Sequence, residues 1–464
     1  MSRKKVPQEE INKQNEYMKI IKENIEDTKY YYIDTMGCKL NENDSEKLEG
    51  MLTYMGYEKT DDVQRANIAI FNTCCIRENA ESKVFGKVGS LKRYKKNGLI
   101  IAIGGCMPQQ NHIVEKIKKS YNFVDILFGT HTLYKFPELL YNALSGKSIT
   151  DIVNIEGEIA EGLPIKHNDK YRANVTIMYG CNNFCSYCIV PYVRGRERSR
   201  DMQDIVNEVE NLAKEGYREI TLLGQNVNSY GNDLEDDNVN FANLLYRLND
   251  IHGIEVIKFI SPHPKDFTYN VIKAIKECEK VHKIIHLPLQ SGSTNILKSM
   301  NRKYTKEQYL KLVQDIKTEI PEVTFTTDII VGFPGETEED FQDTLDVVEK
   351  VYFEQVYMFI YSRRIGTVAD KMENQVPEDI KAQRFDRLKK LADSIVEKKS
   401  EEYIGTIQSI LVEGKSKNNE EMLTGRTATG KIVIFKGEND LIGRNVNIHI
   451  TESHAWYLVG DVQK

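Results

Sequence analysis

The sequence contains no long hydrophobic run. Apolar stretches such as GLIIAIGG at 98–105 are far shorter than the roughly 20 residues that a membrane-spanning helix needs. The first 29 residues contain neither an apolar h-region nor a small-residue cleavage site, so nothing in them predicts secretion. With 40% apolar and 28% charged residues among 464, the chain is predicted to be a globular, cytoplasmic protein of about three domains that binds no membrane.

An excess of positive charge is also absent. The formal net charge is −6 and the sequence pI is near 6.0. This balance excludes a uniformly basic coat of the kind that binds nucleic acid non-specifically. A polyanionic partner would therefore have to bind at a local basic patch.

A disulfide framework is excluded by the predicted compartment, because large cytosolic proteins keep their thiols reduced. The chain nevertheless contains eight cysteines, and their positions are uneven along the sequence. They are Cys38, Cys74, Cys75, Cys106, Cys181, Cys185, Cys188 and Cys278. Thiols that are neither paired nor scattered indicate metal binding.

The first domain is predicted to span residues 29–150 and to follow a charged N-terminal extension, residues 1–28. The extension has no clear apolar stripe, which predicts a mobile segment or a marginal helix. In the domain, β-rich runs alternate with stretches of helical length, which predicts a Rossmann-like α/β fold with a parallel sheet. The predicted strands are 30–35, 67–73, 98–105 and 123–129.

Three cysteines follow the first three of these strands. Cys38 lies three residues after the first strand, and Cys74 and Cys106 end the second and third. The carboxyl ends of neighbouring parallel strands line one crevice, so these thiols are predicted to converge in a metal site. Taken singly, each could instead be a small buried hydrophobe. Cys75 and Cys278 lack such partners in the pattern and are predicted to be structural.

The middle region, residues 167–400, repeats the alternation and predicts a (βα)6 partial TIM barrel. Functional sites in such barrels lie on the loops that follow the strands. The loop after the first strand carries the densest cysteine group of the chain. The predicted strands are 173–179, 218–223, 254–260, 282–287, 323–331 and 354–359.

That loop reads CNNFCSYC and places Cys181, Cys185 and Cys188 at relative positions 0, +4 and +7. Three thiolates in one compact loop can hold three irons of an iron–sulfur cube and leave the fourth iron open to a small molecule. Zinc is the alternative, but a tetrahedral zinc site needs a fourth ligand nearby. The loop offers Asn182 and Asn183 rather than another Cys or His.

Several motifs together resemble a known family. The CNNFCSYC loop resembles that of radical S-adenosylmethionine (SAM) enzymes, and the chain from about 29 to 463 resembles MiaB-type tRNA methylthiotransferases. Cys75 departs from the pattern, since relatives commonly carry Ser there. The matching motifs are TMGCKLNENDSEKL, FNTCCIRENAESKVFG, GGCMPQ, FGTH, PYVRGRERSR, LLGQNVNSYG, HLPLQSGS, NRKYT, TTDIIVGFPGET and YSRRIGT.

The resemblance implies two 4Fe-4S clusters, each with an open iron. One would be held by Cys181, Cys185 and Cys188, and an auxiliary one by the three strand-end cysteines. It implies methylthiolation of carbon 2 of N6-isopentenyladenosine, the tRNA base 3′ of the anticodon (position 37), with two SAM molecules per product. This equipment suits the target, because no side-chain base deprotonates an unactivated aromatic C–H at neutral pH; the cofactor supplies the hard chemistry.

Residues of the later strand-end loops are candidates for SAM contacts by the same resemblance. Gly224 and Gln225 are expected near the amino group, Gln290 and Ser291 at the ribose, and Arg302 at the carboxylate. The alternative for each is ordinary loop structure. Tyr187 matches an aromatic position of the family loop, and Asp328 is a further candidate at the fifth strand.

An arginine strip, RGRERSR, follows the cysteine loop at once and carries a local charge of +3. Arginine forks suit phosphate oxygens and stack on bases, so the strip is predicted to dock the tRNA anticodon stem-loop. A solvated charge run paired with nearby acids is the alternative. The four residues are Arg194, Arg196, Arg198 and Arg200.

The last region, residues 402–463, consists of short alternating runs separated by Gly and predicts a small OB-like β-barrel. It resembles the RNA-binding TRAM domain of the family. Its charge is nearly balanced, so bulk charge does not favour strong phosphate binding. Arg426, Lys431, Lys436 and Arg444 are candidates for a shared basic face.

Two alternatives from other branches of the family remain, one acting on N6-threonylcarbamoyladenosine in tRNA and one on a ribosomal-protein aspartate. A third alternative is a non-catalytic iron–sulfur RNA-binding sensor, which would not need LLGQN and HLPLQSGS. The expected partners are an electron donor such as a flavodoxin or ferredoxin and a sulfur or cluster donor. The chain is expected to act as a monomer.

Overall fold

The computed structural model describes residues 5–75, 80–153, 157–416, 419–427 and 429–463. The chain divides into two units, each with its own internal contacts. The first comprises Met1–Phe184 and Cys188–Ile260, and the second comprises Cys185–Tyr187 and Ser261–Lys464. Residues 76–79 of the FNTCCIRENAESKVFG motif lie outside the described residues.

The first unit begins with a parallel sheet, as the sequence predicts. Its six described strands run in the order β2-β1-β3-β4-β5-β6, which is a doubly wound order of the flavodoxin type. Short β2 and β6 are additions to the four predicted strands. The strands are β1 Lys29–Thr35, β2 Tyr57–Lys59, β3 Ile68–Thr73, β4 Ile100–Gly105, β5 Ile126–Phe128 and β6 Ile149–Asp151.

Helices cover both faces of this sheet because its strands are apolar on both sides. Ile68 and Ile70 of β3 face a core with α2 and α5, whereas Ala69 and Phe71 face a second core with α3 and α4. The period of two in β3 thus supplies both cores. The helices are α1 Gln8–Glu23, α2 Lys39–Tyr54, α3 Ala80–Leu91, α4 Asn111–Ser120 and α5 Phe136–Leu144.

The expectation of a mobile or marginal extension at residues 1–28 is wrong for α1. Ile11, Met18 and Ile21 are each at most 3% exposed, and α1 packs against α5. These residues are seven and three positions apart, so they line one helical face. The apolar stripe of α1 is narrow, and most of the other residues in the segment are charged or polar. The overall composition of the segment therefore did not indicate a packed helix.

The six predicted strands of the middle region are all present and are divided between the two units. The first three form the parallel sheet β11-β10-β7, and β8 pairs antiparallel with β9. These elements are β7 Arg172–Thr176, β8 Met178–Tyr179, β9 Arg198–Ser199, β10 Glu219–Leu223, β11 Val256–Phe259, α6 Val190–Arg194, α7 Met202–Lys214 and α8 Phe241–Asn249.

The other three strands form the parallel sheet β12-β13-β14 of the second unit. Helices α11 and α12 begin at capping boxes, formed by Thr305 with Gln308 and by Thr337 with Asp340, as their Thr-x-x-Gln and Thr-x-x-Asp sequences favour. The elements are α9 Tyr269–Glu277, β12 Ile284–His286, α10 Thr294–Ser299, α11 Lys306–Glu319, β13 Thr324–Val331, α12 Glu338–Val351, β14 Gln355–Ile360 and α13 Glu378–Glu401.

The predicted small barrel closes the second unit, with strand order β15-β16-β17-β19-β18. Alternate residues such as Val433 and Phe435 fill its core. The strands are β15 Ile407–Ser416, β16 Asn419–Arg426, β17 Ile432–Lys436, β18 Asn445–Ser453 and β19 Tyr457–Val462. In the described ranges, no helix combines the length and apolar character that crossing a membrane requires.

One candidate of the basic barrel face is corrected. Lys431 is 8% exposed, and its Nζ lies 2.7 Å from Ser400 Oγ and 3.3 Å from Glu354 Oε1. It therefore ties the barrel to α13 and to the residue before β14 instead of facing RNA. Arg426 and Arg444 are exposed at the barrel surface.

Candidate metal centres and the arginine strip

The three strand-end cysteines of the first unit lie at one edge of its parallel sheet. Cys38 and Cys74 follow β1 and β3, the neighbouring strands at which the order of the sheet reverses. A Cβ built on Gly37 would lie 2.8 Å from Cys74 Sγ, and the N–H of Cys106 donates to Thr73 O at 2.9 Å. This edge is the topological switch point, where open α/β sheets place their ligands.

Polar side chains that the sequence analysis did not single out hold these loops together. Asn41 donates its amide to Met36 O (2.8 Å) and to Thr73 O (3.0 Å), and Thr73 Oγ1 donates to Gly104 O (2.6 Å). Asn72 donates to Asn41 O at 2.8 Å. All three side chains are at most 1% exposed. The sequence signal that could have identified such residues is a polar side chain at a position where a helix is expected to be apolar, as in KLNENDSEKL.

Cys75 is not isolated, contrary to the sequence-based expectation. It donates a hydrogen bond to Cys106 and also lies near Cys74, and the first of these interactions raises the pKa of Cys75 well above its usual value. The same hydrogen bond, helped by the Arg194 guanidinium, lowers the pKa of Cys106 to about 6. The edge thus carries a fourth thiol beside the predicted three. Cys278, by contrast, is 1% exposed at the end of α9, as a packing residue would be.

Arg194 does not lie on an exposed strip. It is 4% exposed, and its Nε donates to Cys106 Sγ at 3.2 Å. Its Nη2 donates to Asn41 Oδ1 at 2.6 Å and to Asp44 Oδ2 at 2.7 Å. A buried guanidinium that is paired with a carboxylate already has its partners inside the protein, so it is not available to an external phosphate. The prediction that Arg194 binds RNA is therefore corrected.

Arg200 is corrected for the same reason. It is 6% exposed, with Nε 2.6 Å from Glu161 Oε1 and Nη1 2.7 Å from Glu208 Oε2. Two ion pairs with partly exposed acids engage this buried guanidinium within the first unit. The strip of four arginines is therefore not a continuous cationic surface.

Arg196 is the member of the strip that is exposed. Its guanidinium carbon lies 4.6 Å from the ring centroid of Phe184, and the Tyr192 ring meets the same Phe184 edge-on at 5.8 Å. Tyr192 is 50% exposed. Arg198 is half-buried and donates to Arg194 O at 3.3 Å. The outward-facing part of the strip is thus one arginine with two aromatic rings.

The strip also supports the radical-type cysteine loop. Cys181 donates its N–H to Gly195 O at 3.1 Å, and Asn182 donates its N–H to Glu197 Oε1 at 3.1 Å. The Gly180 N–H donates to Gln225 Oε1 at 2.6 Å. Gly180 has φ +74°, and a Cβ there would lie 2.0 Å from Arg196 O. The close sequence spacing of cysteines and arginines therefore has a structural reason in the first unit.

Cys185, Ser186 and Tyr187 of the same loop belong to the second unit. Ser186 donates its hydroxyl to Ser299 O at 2.7 Å and its N–H to Met300 O at 3.0 Å. Arg302 Nη1 lies 3.5 Å from Cys185 Sγ. The end of α10 thus holds this part of the loop.

Three of the remaining candidates for SAM contacts lie near one another in the second unit. Gln290 has φ +69° and bridges to β13, where its N–H donates to Asp328 O at 2.8 Å. Arg302 donates Nε to Tyr304 OH at 2.9 Å and Nη2 to Pro288 O at 3.0 Å. Asp328 Oδ2 lies 3.5 Å from His286 Nε2. These residues form one neighbourhood at the ends of β12 and β13.

The prediction that Ser291 contacts the ribose is wrong. It is 0% exposed, its Oγ lies 3.4 Å from Thr344 Oγ1, and it accepts the N–H of Ser293 at 3.2 Å. Gly224 fits close packing, since a Cβ there would lie 2.7 Å from Met178 Cγ. Tyr187 packs against the apolar cluster that contains Met300 and Phe333.

The donor chemistry at the sheet edge is compatible with an iron–sulfur group. Among the described residues, no three His, Cys, Asp or Glu side chains form a ready site for one metal ion. The described residues at this edge supply thiols, while the neighbouring Asp44 carboxylate is paired with Arg194, and thiolates are the ligands that Fe–S clusters use. A cluster at Cys38, Cys74 and Cys106 is therefore compatible with the residues present.

Replacing Gly37 by Ala is expected to remove a cluster held at this edge. Gly37 has φ +121°, and the new Cβ would lie 2.6 Å from Cys74 Cβ. Backbone strain and this contact would displace Cys74. Iron and sulfide analysis after anaerobic reconstitution should show the loss of one cluster, with the other retained.

Gly98→Ala is the matched control. Gly98 also has a positive φ, +82°, but a Cβ there meets nothing within 4 Å. It should cost about 1 kcal/mol of stability and leave the iron content unchanged. Equal iron in G37A and wild type would contradict the placement of Cys74 at the site.

Three family models match separate parts of the chain. Residues 175–348 match the Radical SAM superfamily, residues 30–129 match Uncharacterized protein family UPF0004, and residues 401–463 match the TRAM domain. The radical SAM match lies in the middle region, the UPF0004 match contains most of the first sheet, and the TRAM match contains the small barrel.

Curated relatives match nearly the whole chain. The tRNA-2-methylthio-N(6)-dimethylallyladenosine synthase of Clostridium perfringens is 55% identical over 443 residues, covering 95% of this chain and 99% of its own. The synthase of the same name from Thermoanaerobacter pseudethanolicus is 51% identical, covering 98% of each chain.

Solved structures share the fold at low identity. The radical S-adenosylmethionine methyltransferase TsrM from Kitasatospora setae, with tryptophan and a SAM analog bound, has a TM-score of 0.54 at 14% identity and covers 82% of this chain and 78% of its own. At more than 50% identity over nearly the full length, this chain belongs to the tRNA-2-methylthio-N(6)-dimethylallyladenosine synthase family, within the radical SAM superfamily.

Proposed function

We propose that this chain is a radical SAM methylthiotransferase that places a methylthio group on carbon 2 of N6-isopentenyladenosine at tRNA position 37. The observation that supports the proposal is that Cys38, Cys74 and Cys106 each follow one of three neighbouring strands of the same parallel sheet, apart in sequence from the radical loop. A second thiol group could hold a second cluster, and a cluster can serve as the source of the transferred sulfur. The 55% identity to a named synthase supports the same reaction.

Two 4Fe-4S clusters and SAM are the proposed cofactors, with two SAM molecules used per product. Cys181, Cys185 and Cys188 would hold the radical cluster, and the strand-end thiols would hold the auxiliary cluster. When bound, these groups supply one-electron reduction of the sulfonium and a sulfur atom for transfer. The chain's own contribution is to fix the thiols by the backbone contacts of Gly180, Cys181 and Ser186.

For SAM we retain Tyr187, Gly224, Gln225, Gln290, Arg302 and Asp328 as proposed contacts. Gln225 already has its side-chain oxygen at the cysteine loop, 2.6 Å from Gly180 N. Gln290 adopts a left-handed backbone that a non-glycine residue rarely occupies without a reason. Such strain at the end of a strand supports a binding role for this loop.

The RNA-facing surface is proposed to consist of Arg196, Phe184 and Tyr192, in place of the four-arginine strip. An exposed arginine beside two aromatic rings can contact phosphate and stack on an unpaired base. Anticodon loops present such bases, and the TRAM domain is a second candidate for RNA contact. The substrate would bind by its stem-loop, with the target base unstacked.

Replacing Arg196 by Ala is expected to weaken tRNA binding. Loss of one phosphate contact should also reduce the slope of log affinity against log salt by about one. Fluorescence anisotropy with labelled anticodon stem-loop across a salt series measures both quantities.

Arg218→Ala provides the control. Arg218 is 61% exposed and paired with Glu255, and it lies just before β10, at the strand end opposite to the site loops. Its removal should change neither affinity nor slope. An unchanged slope in R196A would contradict the proposed surface.

The decisive test of function is anaerobic reconstitution with SAM, a reductant and tRNA that carries the isopentenyl base, followed by mass analysis of its nucleosides. A mass gain of one methylthio group is expected. A gain only on tRNA with N6-threonylcarbamoyladenosine would favour the sister branch, and RNA binding without SAM cleavage would favour a sensor. We also propose a monomer that acts in the cytoplasm with a flavodoxin or ferredoxin and a sulfur or cluster donor.

A further inference from the structure

Arg194 has no part in the proposed reaction, yet it is among the most constrained charged residues of the first unit. It ends α6, six residues after Cys188, and is 4% exposed. Its guanidinium reaches Cys106 Sγ, Asn41 Oδ1 and Asp44 Oδ2, at 3.2, 2.6 and 2.7 Å. Burying a guanidinium is costly, so three directed contacts point to a specific role.

We infer that Arg194 is a positioning residue of the auxiliary cluster, which donates its Nε–H to the Cys106 thiolate and raises the reduction potential of that cluster. The inference rests on the proposed function, because it takes Cys106 as a cluster ligand. It assigns to this arginine a role at the metal centre instead of at the RNA.

The direction of the effect follows from charge. Hydrogen bonds to the sulfurs and net charge are among the factors that set Fe–S potentials. An N–H that points at a ligand sulfur stabilises the cluster more when it has gained an electron, because the sulfur is then more negative. Reduction is therefore favoured by the contact.

The neighbours of Arg194 orient its guanidinium toward Cys106. Asp44 and Asn41 both accept from Nη2, which leaves Nε aimed at Cys106 Sγ. Asp44 also balances the guanidinium charge, so the residue acts mainly through its hydrogen bond. Because Asn41 additionally holds Met36 O and Thr73 O, the same group of contacts joins the arginine to the loops before Cys38 and Cys74.

The test uses the full chain with Cys181, Cys185 and Cys188 replaced by Ala, so that electron paramagnetic resonance reports the auxiliary cluster alone. A redox titration of the reconstituted protein gives its midpoint potential. Arg194→Gln is expected to lower the reduced-to-oxidised ratio at a fixed potential by about tenfold, which for a one-electron couple is a shift of about 59 mV to more negative values.

Arg194→Lys is the second variant. Lysine keeps the charge but replaces the rigid fork by an ammonium on a flexible stem, so its shift should have the same sign and be smaller. If R194Q holds no cluster, R194K decides alone, and an unchanged potential in R194K would overturn the inference.

Arg200→Gln is the matched control. It removes a similarly buried arginine of the same segment, whose ion pairs are with Glu161 and Glu208. Its potential should equal that of the parent. A shift in R200Q as large as in R194Q would mean that loss of any buried ion pair moves the potential, and the inference would fail.

The outcomes separate the two levels of the proposal. If the parent with the three loop cysteines replaced binds no cluster, the auxiliary site of the proposed function is wrong and the inference falls with it. If the parent binds a cluster whose potential is the same in R194Q and R194K, only the inference is overturned.

Discussion

Replacing Cys38, Cys74 and Cys106 together by Ala is expected to abolish methylthiolation of tRNA while SAM cleavage to 5′-deoxyadenosine continues. The physical reason is that these thiols belong to the sheet edge of the first domain, whereas the radical loop has its own supports at Gly195, Glu197 and Gln225. Removing the first group leaves those supports intact. Nucleoside mass analysis and chromatography of deoxyadenosine measure the two activities in one reaction.

Cys278→Ala serves as the control for thiol loss. Cys278 is as buried as Cys74, with 1% exposure each, but lies at the end of α9 in the second unit. It should retain both activities. If cleavage disappears in the triple variant but not in C278A, the two thiol groups do not divide the labour as proposed.

The reciprocal variant, with Cys181, Cys185 and Cys188 replaced by Ala, is expected to lose SAM cleavage and methylthiolation entirely. Without thiolate ligands the loop cannot hold a cluster, and no side chain of the chain substitutes for a one-electron donor. The backbone N–H of Cys106 bonds Thr73 O, and its thiol contacts Asn41 Oδ1; neither contact involves this loop, so one cluster should remain. Iron analysis and Mössbauer spectroscopy measure it.

Asn182→Ala is the control within the loop. Asn182 is exposed, and its side chain contacts only Glu197 among the described contacts, while its N–H remains to bond that residue. The variant should keep both clusters and most of its cleavage activity. Deoxyadenosine formation by the triple cysteine variant would exclude this loop as the radical site.

Much of the fold could be predicted because its strands are locally marked. The runs at 67–73 and 98–105 contain consecutive branched apolar residues, and they became β3 and β4, buried on both faces. Strands β2 and β6 were missed because each has three residues and exposed positions, so neither produces a pattern. Helix α1 was underestimated because its apolar stripe is narrow and is stabilised by α5 more than 100 residues later.

The candidate site was predictable where chemistry and topology coincide. Cysteines at successive strand ends are predicted to lie close together, since neighbouring parallel strands end on the same side of the sheet. The role of Cys75 was not predictable in this way, because neighbouring residues in a loop can face the same site or opposite sides. Its hydrogen bond to Cys106 depends on how the two loops are folded.

Which arginines of the strip are buried could not be predicted from the segment itself. Charge in a seven-residue segment indicates how many cations are present but not which of them face the interior. Arg194 is buried because Asp44, 150 residues earlier, lies opposite to it, and Arg200 because Glu161 does. Arg196 has no ion pair with an acid among the residues that the structure describes, and it stays at the surface over Phe184.

The sequence by itself determined the order of the domains, the type and position of the main strands, and the grouping of six cysteines into a loop triplet and a strand-end triplet. These features depend on local periodicity and on spacing, which short segments carry. Only the tertiary structure decided which arginines serve the protein and which face outward, and that Lys431 and Ser291 are interior. Burial depends on partners that are distant in the chain, and no local pattern encodes them.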